Sequence, residues 1–321
     1  MHDPRIPPGR IGARRIFFAA EKRMLAKFAR MRHNTSMKKT HYYKIIAFDL
    51  DGTFLNDDKS IPPANLRALE AAAARGSIPV VASGRIYRGV PEALKALPFL
   101  RYYILSNGAA VYDSREDRLL YRGDVPLELA LRCYEYMDTL PVIYDCYQNE
   151  QGWMTRAMMD AAPPYFALEP EVLKLLYGLR KPVDDLKAFL RQRGEGLQKL
   201  QMFFKPEDEA IRQRVLRELP TLFPELVATT SVKNNIEVNS VNAGKGKALM
   251  ALCEALGIDP AQTVAFGDGS NDTEMLRMAG LGVAMANASA QVKAAADCVT
   301  LGNEEAGVAA KIYELLEEGE R

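Results

Sequence analysis

The sequence predicts an α/β fold: a parallel sheet with helices between its strands, interrupted by an inserted α+β domain. Three observations carry that prediction. Short apolar, β-branched runs alternate with helical stretches from Ile45 to Leu105, and again after residue 235. Those runs end in small or polar loops at the carboxyl edge, as a parallel sheet requires. Between about 124 and 232 the rhythm changes to a less regular mixture of helices and strands.

Ile45-Ile46-Ala47-Phe48 reads as a buried strand, and Asp49-Leu50-Asp51-Gly52-Thr53 leaves its end. Residues two apart on a strand share a face, so Asp49 and Asp51 can converge on one ligand. Gly52 lets the backbone turn sharply, and Thr53 adds a hydroxyl and an N–H. Ligands in open α/β sheets bind outside the carboxyl ends of the strands. Two acids held there resist burial together, and a divalent cation would account for both. Pro62 and Pro63 open a helix through Ala71–Arg75, stopped by Gly76. A second strand, Ile78–Ala82, ends in Ser83-Gly84-Arg85. A helix through Val90–Leu97 leads to a strand at Tyr102–Leu105, which ends in Ser106-Asn107-Gly108.

The insert is expected to hold helices at Leu127–Met137, Val183–Arg193 and Glu207–Leu219, with strands at Val142–Tyr147, Leu200–Phe204 and Leu226–Thr230. Its aromatics Tyr144, Tyr147, Trp153, Tyr165 and Phe166 are read as insert core before substrate contacts. Parallel alternation returns with Asn235–Val238, a helix at Lys245–Leu256 and a strand at Thr263–Phe266. Gly267-Asp268-Gly269-Ser270-Asn271-Asp272, a helix at Asp272–Met278 and a strand at Gly282–Met285 follow. The division is therefore a leader over 1–43, a first core segment over 44–123, the insert over 124–232 and a second core segment over 233–321.

With 321 residues, 48% of them hydrophobic, the chain can bury two cores. No apolar run approaches the length of a membrane span. The formal charge of +1 hides an asymmetry: residues 1–44 carry +10 and the remainder −9. An acidic body argues against nucleic acid as a partner. The leader is read as an extension outside the native fold, with Met37 a natural start for the rest; an amphipathic targeting helix is the alternative. All three histidines, His2, His33 and His41, lie in that leader. Ser-His-Asp hydrolysis and His-ligated zinc are thereby excluded from the body, and acid–base work falls to carboxylates or lysines. Cys133, Cys146, Cys253 and Cys298 show no metal-binding spacing and read as free thiols of a cytoplasmic protein.

Four loops at strand ends or helix starts then stand out: Asp49-x-Asp51-Gly52-Thr53, Ser83-Gly84-Arg85, Lys245 within Asn242-Ala243-Gly244-Lys245-Gly246, and Gly267 to Asp272. Singly, each could be an ordinary turn or helix cap. Together and in this order they resemble the four motifs of the haloacid dehalogenase superfamily. The finer likeness is to its Cof-type phosphatases, with a large α/β cap between the second and third motifs. Ile236-Glu237-Val238, Ser106-Asn107-Gly108-Ala109, Ala286-Asn287-Ala288 and Asn271-Asp272-x-Glu274-Met275-Leu276 are similar to that branch. Ser83 stands where threonine is commoner, which keeps the hydroxyl. The resemblance implies a Rossmann-like core and covers residues 44–321.

The chemistry agrees with the likeness. A carboxylate can attack phosphorus and split one displacement into two; Asp49 is best placed to do so. Asp51 can donate a proton to the leaving alcohol and later act as base, provided its pKa is raised. Thr53, Ser83 and the N–H groups of Gly52 and Gly84 can cradle phosphate oxygens, with Asn107 beside them. Lys245 can neutralise Asp49 and the phosphoryl group. Mg²⁺ is the expected cofactor, held by Asp49, Asp268 and the backbone carbonyl of Asp51, with Asp272 orienting its waters or ligating directly. Asn271 is expected on the phosphate or on Lys245. The expected activity is hydrolysis of small phosphorylated metabolites, such as sugar phosphates. A phosphotransferase or phosphomutase on the same core is one alternative, and a non-catalytic phosphometabolite-binding protein another.

Overall fold

In the computed structural model, which describes residues 43–166, 170–230 and 232–318, the chain builds two sheets. The leader lies outside the described residues. Chain order begins with β1 (Ile45–Phe48), β2 (Ile78–Ala82), β3 (Tyr102–Leu105), β4 (Ala110–Asp113) and β5 (Arg118–Arg122). The second sheet takes β6 (Val142–Gln148), β7 (Gln151–Thr155), β8 (Arg180–Val183), β9 (Lys199–Phe204), β10 (Leu226–Thr229) and β11 (Asn235–Ser240). The chain then returns to the first sheet with β12 (Thr263–Gly267), β13 (Leu281–Ala284) and β14 (Cys298–Val299).

The first sheet has the order β14-β13-β12-β1-β2-β3-β4-β5 and is parallel from β14 through β3. Strand period explains its two-sided burial. Ile46 and Phe48 point to one face, packed by the helices Pro63–Ala74 and Gly307–Glu318. Ile45 and Ala47 point to the other, packed by Lys245–Leu256 and Thr273–Met278. β1 sits between β2 and β12, so the chain departs from it in opposite directions. This switch point gathers the tips of β1, β2 and β12 around one crevice.

The second sheet, order β10-β11-β9-β6-β7-β8, is antiparallel except between β7 and β8. Its helices Leu127–Met137, Leu186–Arg193 and Glu209–Leu222 cover one face, burying Tyr144, Cys146, Leu200, Met202, Ile236 and Val238. This is the inserted cap.

Sequence reading and structure part at several elements. β11 was expected in the parallel core, yet it pairs antiparallel with β9 and β10 in the cap. The return to the core therefore follows Ser240 rather than residue 232. Periodicity identifies a buried strand but not the sheet that buries it. The short strands β4, β5, β7 and β8 escaped the reading altogether. β8, Arg-Lys-Pro-Val, is a charged edge strand in which proline is tolerated because only one neighbour must be hydrogen-bonded. The helix expected through Val90–Leu97 shrinks to Glu92–Lys95.

Candidate active site

β1 ends at Phe48, and its next residue, Asp49, is buried. The helix Lys245–Leu256 starts opposite, with Lys245 fully buried at its first turn. The Lys245 Nζ donates to Asp49 Oδ1 at 2.7 Å and to Asp272 Oδ1 at 2.6 Å. The other oxygen of Asp272 accepts the backbone N–H groups of Asp268 and Gly269, at 3.1 and 2.9 Å. Asp272 thus shapes the loop that carries Asp268. Thr53 donates its hydroxyl to Asp268 Oδ1 at 2.7 Å, tying the β1 loop to the β12 loop. Gly52 is required there on two counts. Its φ is +78°, and a Cβ would fall 2.4 Å from Asp268 Oδ2.

Asp49, Asp268 and Asp272 each bring one carboxylate oxygen to within 4.8 Å of the others. At that separation two unit charges repel by roughly 3–4 kcal/mol for an effective dielectric near 20. One lysine leaves three carboxylates with a net deficit of two positive charges. Burial accordingly pushes Asp49 up to about 8, against the pull of Lys245 and with Asp272 adding to the rise. Burial also raises Asp268, despite the Thr53 hydrogen bond. Burial opposes the Lys245 charge, but Asp272 and Asp49 outweigh it and hold the ammonium. An all-oxygen donor set lacking positive charge fits a hard divalent cation.

Asp51 stands apart from this cluster. Arg85 grips it with two bonds, Nε to Oδ2 at 2.8 Å and Nη2 to Oδ1 at 2.7 Å. Lys59 adds a contact at 3.0 Å. Partial burial raises the carboxyl, but Arg85 and Lys59 outweigh it, and the net displacement is downward. In this conformation Asp51 is an ionised carboxylate, contrary to the raised pKa an acid needs. Its side chain is not one of the three converging carboxylates.

Ser83 is buried, and its Oγ accepts the N–H of Arg85 at 3.2 Å. Gly84 lies close against Asn107, where a Cβ would stand 2.7 Å from Asn107 Oδ1. That oxygen accepts from Asn271 Nδ2 at 3.1 Å. Asn271 is therefore bonded to Asn107, while Lys245 is taken by Asp49 and Asp272. Asn107 in turn donates to Glu237 Oε2 of the cap at 2.7 Å.

The core of this arrangement is matched by a family model for haloacid dehalogenase-like hydrolases over residues 46–312. The chain belongs to that family. Among its relatives is the 5-amino-6-(5-phospho-D-ribitylamino)uracil phosphatase of Bacillus subtilis, 32% identical over 84% of this chain and 94% of that one. An HMP-PP phosphatase of Serratia proteamaculans is 32% identical over 78% and 86%. A haloacid dehalogenase-like hydrolase from Bacteroides thetaiotaomicron superposes with a TM-score of 0.71 at 28% identity, over 85% and 99%. This haloacid dehalogenase-like chain is an enzyme, a phosphatase. No helix among its described residues is long and apolar enough to cross a membrane.

Sequence reasoning missed the cap's contribution to the dehalogenase-like site. Lys199 on β9 is buried and donates to the Gly84 carbonyl at 2.9 Å and to Glu237 Oε1 at 3.0 Å. The signal was present as alternation: Lys199 and Gln201 are polar, while Leu200 and Met202 between them are apolar. Of the insert's aromatics, Tyr144 joins the cap core, Trp153 packs on Phe189, and Phe166 packs on Phe203. Tyr147 instead lies beneath the Arg180 and Lys199 cations.

Proposed function

We propose that this protein hydrolyses small phosphomonoesters, sugar phosphates among them, with Mg²⁺ and through an aspartyl phosphate on Asp49. One observation carries the reading: Lys245 bonds a single oxygen of a buried strand-tip carboxylate, Asp49, beside two further acids. A purely structural ion pair would not need a third carboxylate, Asp268, beside the two that share one ammonium. The relatives are named for phosphatase activity on a ribityl phosphate and on HMP-PP.

In this mechanism the phosphate sits against Thr53, Ser83 and the N–H groups of Gly52 and Gly84. Asp49 attacks phosphorus, and the leaving alcohol departs toward the cap. Lys245 favours the ionised form of Asp49 against the burial that raises it, and offsets charge on the phosphoryl oxygens. When substrate displaces its Arg85 and Lys59 partners, Asp51 takes up a proton from solvent and gives that proton to the departing alcohol. It then takes a proton from the water that cleaves the aspartyl phosphate. Asp49, Asp268, Asp272 and the Asp51 backbone carbonyl would hold Mg²⁺, which supplies positive charge to the acid cluster and to the phosphate. Asn107 and Asn271 fix the floor of the phosphate cradle.

The test is direct. Asp49→Asn should lose at least a thousandfold in kcat while keeping its circular dichroism and unfolding midpoint. Beryllium fluoride should raise the melting temperature of the wild type with Mg²⁺ but not that of the variant. Chelation should abolish turnover, and Mg²⁺ should restore it. Near-normal kcat in Asp49→Asn would sink the covalent route.

A further inference from the structure

A second cleft opens between cap and core, beside the first chain crossing. Its volume is about 520 Å³, within the range of small-molecule sites. The core lines it with Arg88, Arg118 and Arg122, and the cap with Asn149, Glu150 and Glu195. Arg122 directly precedes the crossing at Gly123, and the turn after Glu195 packs on it: a Cβ on Gly196 would stand 2.9 Å from the Asp124 Cβ. No residue of the acid cluster or of the phosphate cradle lines this cleft.

Two of its cations are unpaired. Arg122 is engaged by Asp124 at 2.8 Å and approached by Glu195 at 3.9 Å. Asp117, also on the lining, accepts the Tyr112 hydroxyl at 2.7 Å, and Glu195 accepts the Asn149 amide. Arg88 and Arg118 are exposed and make no ion pair or side-chain hydrogen bond with any described residue. Glu150 keeps one carboxylate oxygen, Oε1, buried without a partner, while Oε2 accepts the Tyr87 N–H of the core. Burial pushes this carboxyl up to about 7, so below neutral pH it opposes an anion little. The turn that carries Glu150 runs against its own preference. Gln148 pairs with Gln151, so Asn149 and Glu150 form a two-residue turn, with φ of 50° and 58°. Such a turn favours glycine in second place, because glycine takes that φ without strain. Glutamate there is explained by its side chain, which reaches from the cap to the core.

We propose that this cleft is a second, non-catalytic site for a small metabolite bearing a phosphate or carboxylate group, and that its occupation favours the arrangement in which the cap rests on the core. A guanidinium pairs with either oxyanion through two parallel N–H bonds. Arg88 lies in the turn Tyr87–Gly89, which follows Ser83-Gly84-Arg85, and Arg118 opens the edge strand β5. Asn149 and Glu150 face them from the cap hairpin. A ligand touching both sides meets all its partners only while cap and core are together. It therefore binds that arrangement better and shifts the population toward it. By linkage it also tightens the binding of a substrate that needs the same arrangement.

The experiment uses the full chain with Mg²⁺, with methylphosphonate standing for the phosphoryl group and succinate for the carboxylate. KM for an aryl phosphate is measured with and without each anion in the wild type, Arg88→Ala and Arg118→Ala, alongside calorimetric titration of the anions. Both arginines are exposed, so the variants should keep the wild-type unfolding midpoint and, without added anion, the same kcat/KM within twofold. An anion that also enters the catalytic site raises KM alike in all three proteins, so the cleft shows as the difference between them. At least one anion should lower the KM of the wild type at least threefold relative to either variant. Its affinity should fall at least tenfold in both variants. A response to methylphosphonate alone makes the ligand a phosphorylated metabolite; a response to succinate alone makes it a carboxylate. Equal affinity and an equal KM response in the three proteins overturn the site. Binding that depends on the arginines but leaves KM alike in all three overturns its coupling to the cap.

Discussion

Asp268 and Asp272 are both acids of the same loop, but their surroundings give them opposite stabilities. Asp272 is wholly buried, bonded through one oxygen to Lys245 and through the other to two backbone N–H groups. Asp272→Ala removes one partner of a buried pair and frees two donors. The expected loss is about 3–5 kcal/mol, read from the urea midpoint without metal. Asp268 is only partly buried, and burial, with repulsion from Asp272 and Asp51 added, raises its carboxyl against the Thr53 hydrogen bond. Asp268→Ala should leave metal-free stability unchanged or slightly improved, yet remove the rise in melting temperature expected of the wild type on adding Mg²⁺. Equal destabilisation by both variants would contradict this division. Asp51 offers a second residue-scale test. Acetate needs no proton to leave, whereas a sugar alcohol does. Asp51→Asn should therefore reduce kcat for a hexose phosphate at least tenfold more than for acetyl phosphate.

At the scale of elements, the β6–β7 hairpin is where the cap meets the core beyond the Lys199–Gly84 and Glu237–Asn107 contacts. Its tip residues Asn149 and Glu150 both have positive φ, 50° and 58°. Glu150 Oε2 accepts the backbone N–H of Tyr87 at 2.6 Å, while Oε1 is buried without a partner. Burial raises this carboxyl from 4.5 to about 7, against the Tyr87 N–H and Lys199. Arg88, Arg118, Arg122, Tyr112, Asp117 and Glu195 line the same cleft. A raised carboxyl binds its proton more tightly when docked, so the contact is fully favourable below pH 4.5 and weakens as pH rises toward 7. The difference in melting temperature between wild type and Glu150→Gln should change across that window and level off above it. A difference that stayed constant from pH 4.5 to 8 would show that Glu150 does not titrate there.

Much of this element-level detail was closed to sequence reading, for identifiable reasons. The convergence of Asp49, Thr53, Lys245, Asp268 and Asp272 was readable because each follows a buried strand or opens a helix, where side chains have few directions to take. The core strands β1, β2, β3 and β12 were readable from their apolar runs. The pairing of Asp51 was not, because its partners Arg85 and Lys59 lie on separate loops and nothing local predicts that they meet it. Arg180 and Asp145 were not, because 35 residues separate them and the pairing depends on β6 and β8 both flanking β7. β11 was assigned to the wrong sheet because Ile236 and Val238 would be equally buried in either.

At the scale of the whole molecule, the cap and the core have separate hydrophobic clusters, which predicts that they are separable. The cap clusters draw on residues from Val125 to Val238, and the core clusters on the segments either side. The two crossings run side by side. A Cβ on Gly123 would stand 3.1 Å from Ala243, and Tyr121 donates its hydroxyl to the Asn242 carbonyl at 2.7 Å. A two- or three-residue Gly-Ser link from Gly123 to Ala243 therefore needs to span only a few ångströms, within reach of the chain. Excision removes the partners of Gly84 and Asn107, but these then face water, where polar groups carry little penalty. The core without its cap should unfold cooperatively, because both of its sheet faces remain covered by its own helices. It should still turn over acetyl phosphate with Mg²⁺, at a rate lowered by the loss of water exclusion. Its preference among hexose, polyol and aryl phosphates should collapse to within about threefold, since leaving-group contacts worth more than RT ln 3 are gone. Retention of the full-length preference by the capless core would move selectivity out of the cap sheet and into the phosphate cradle.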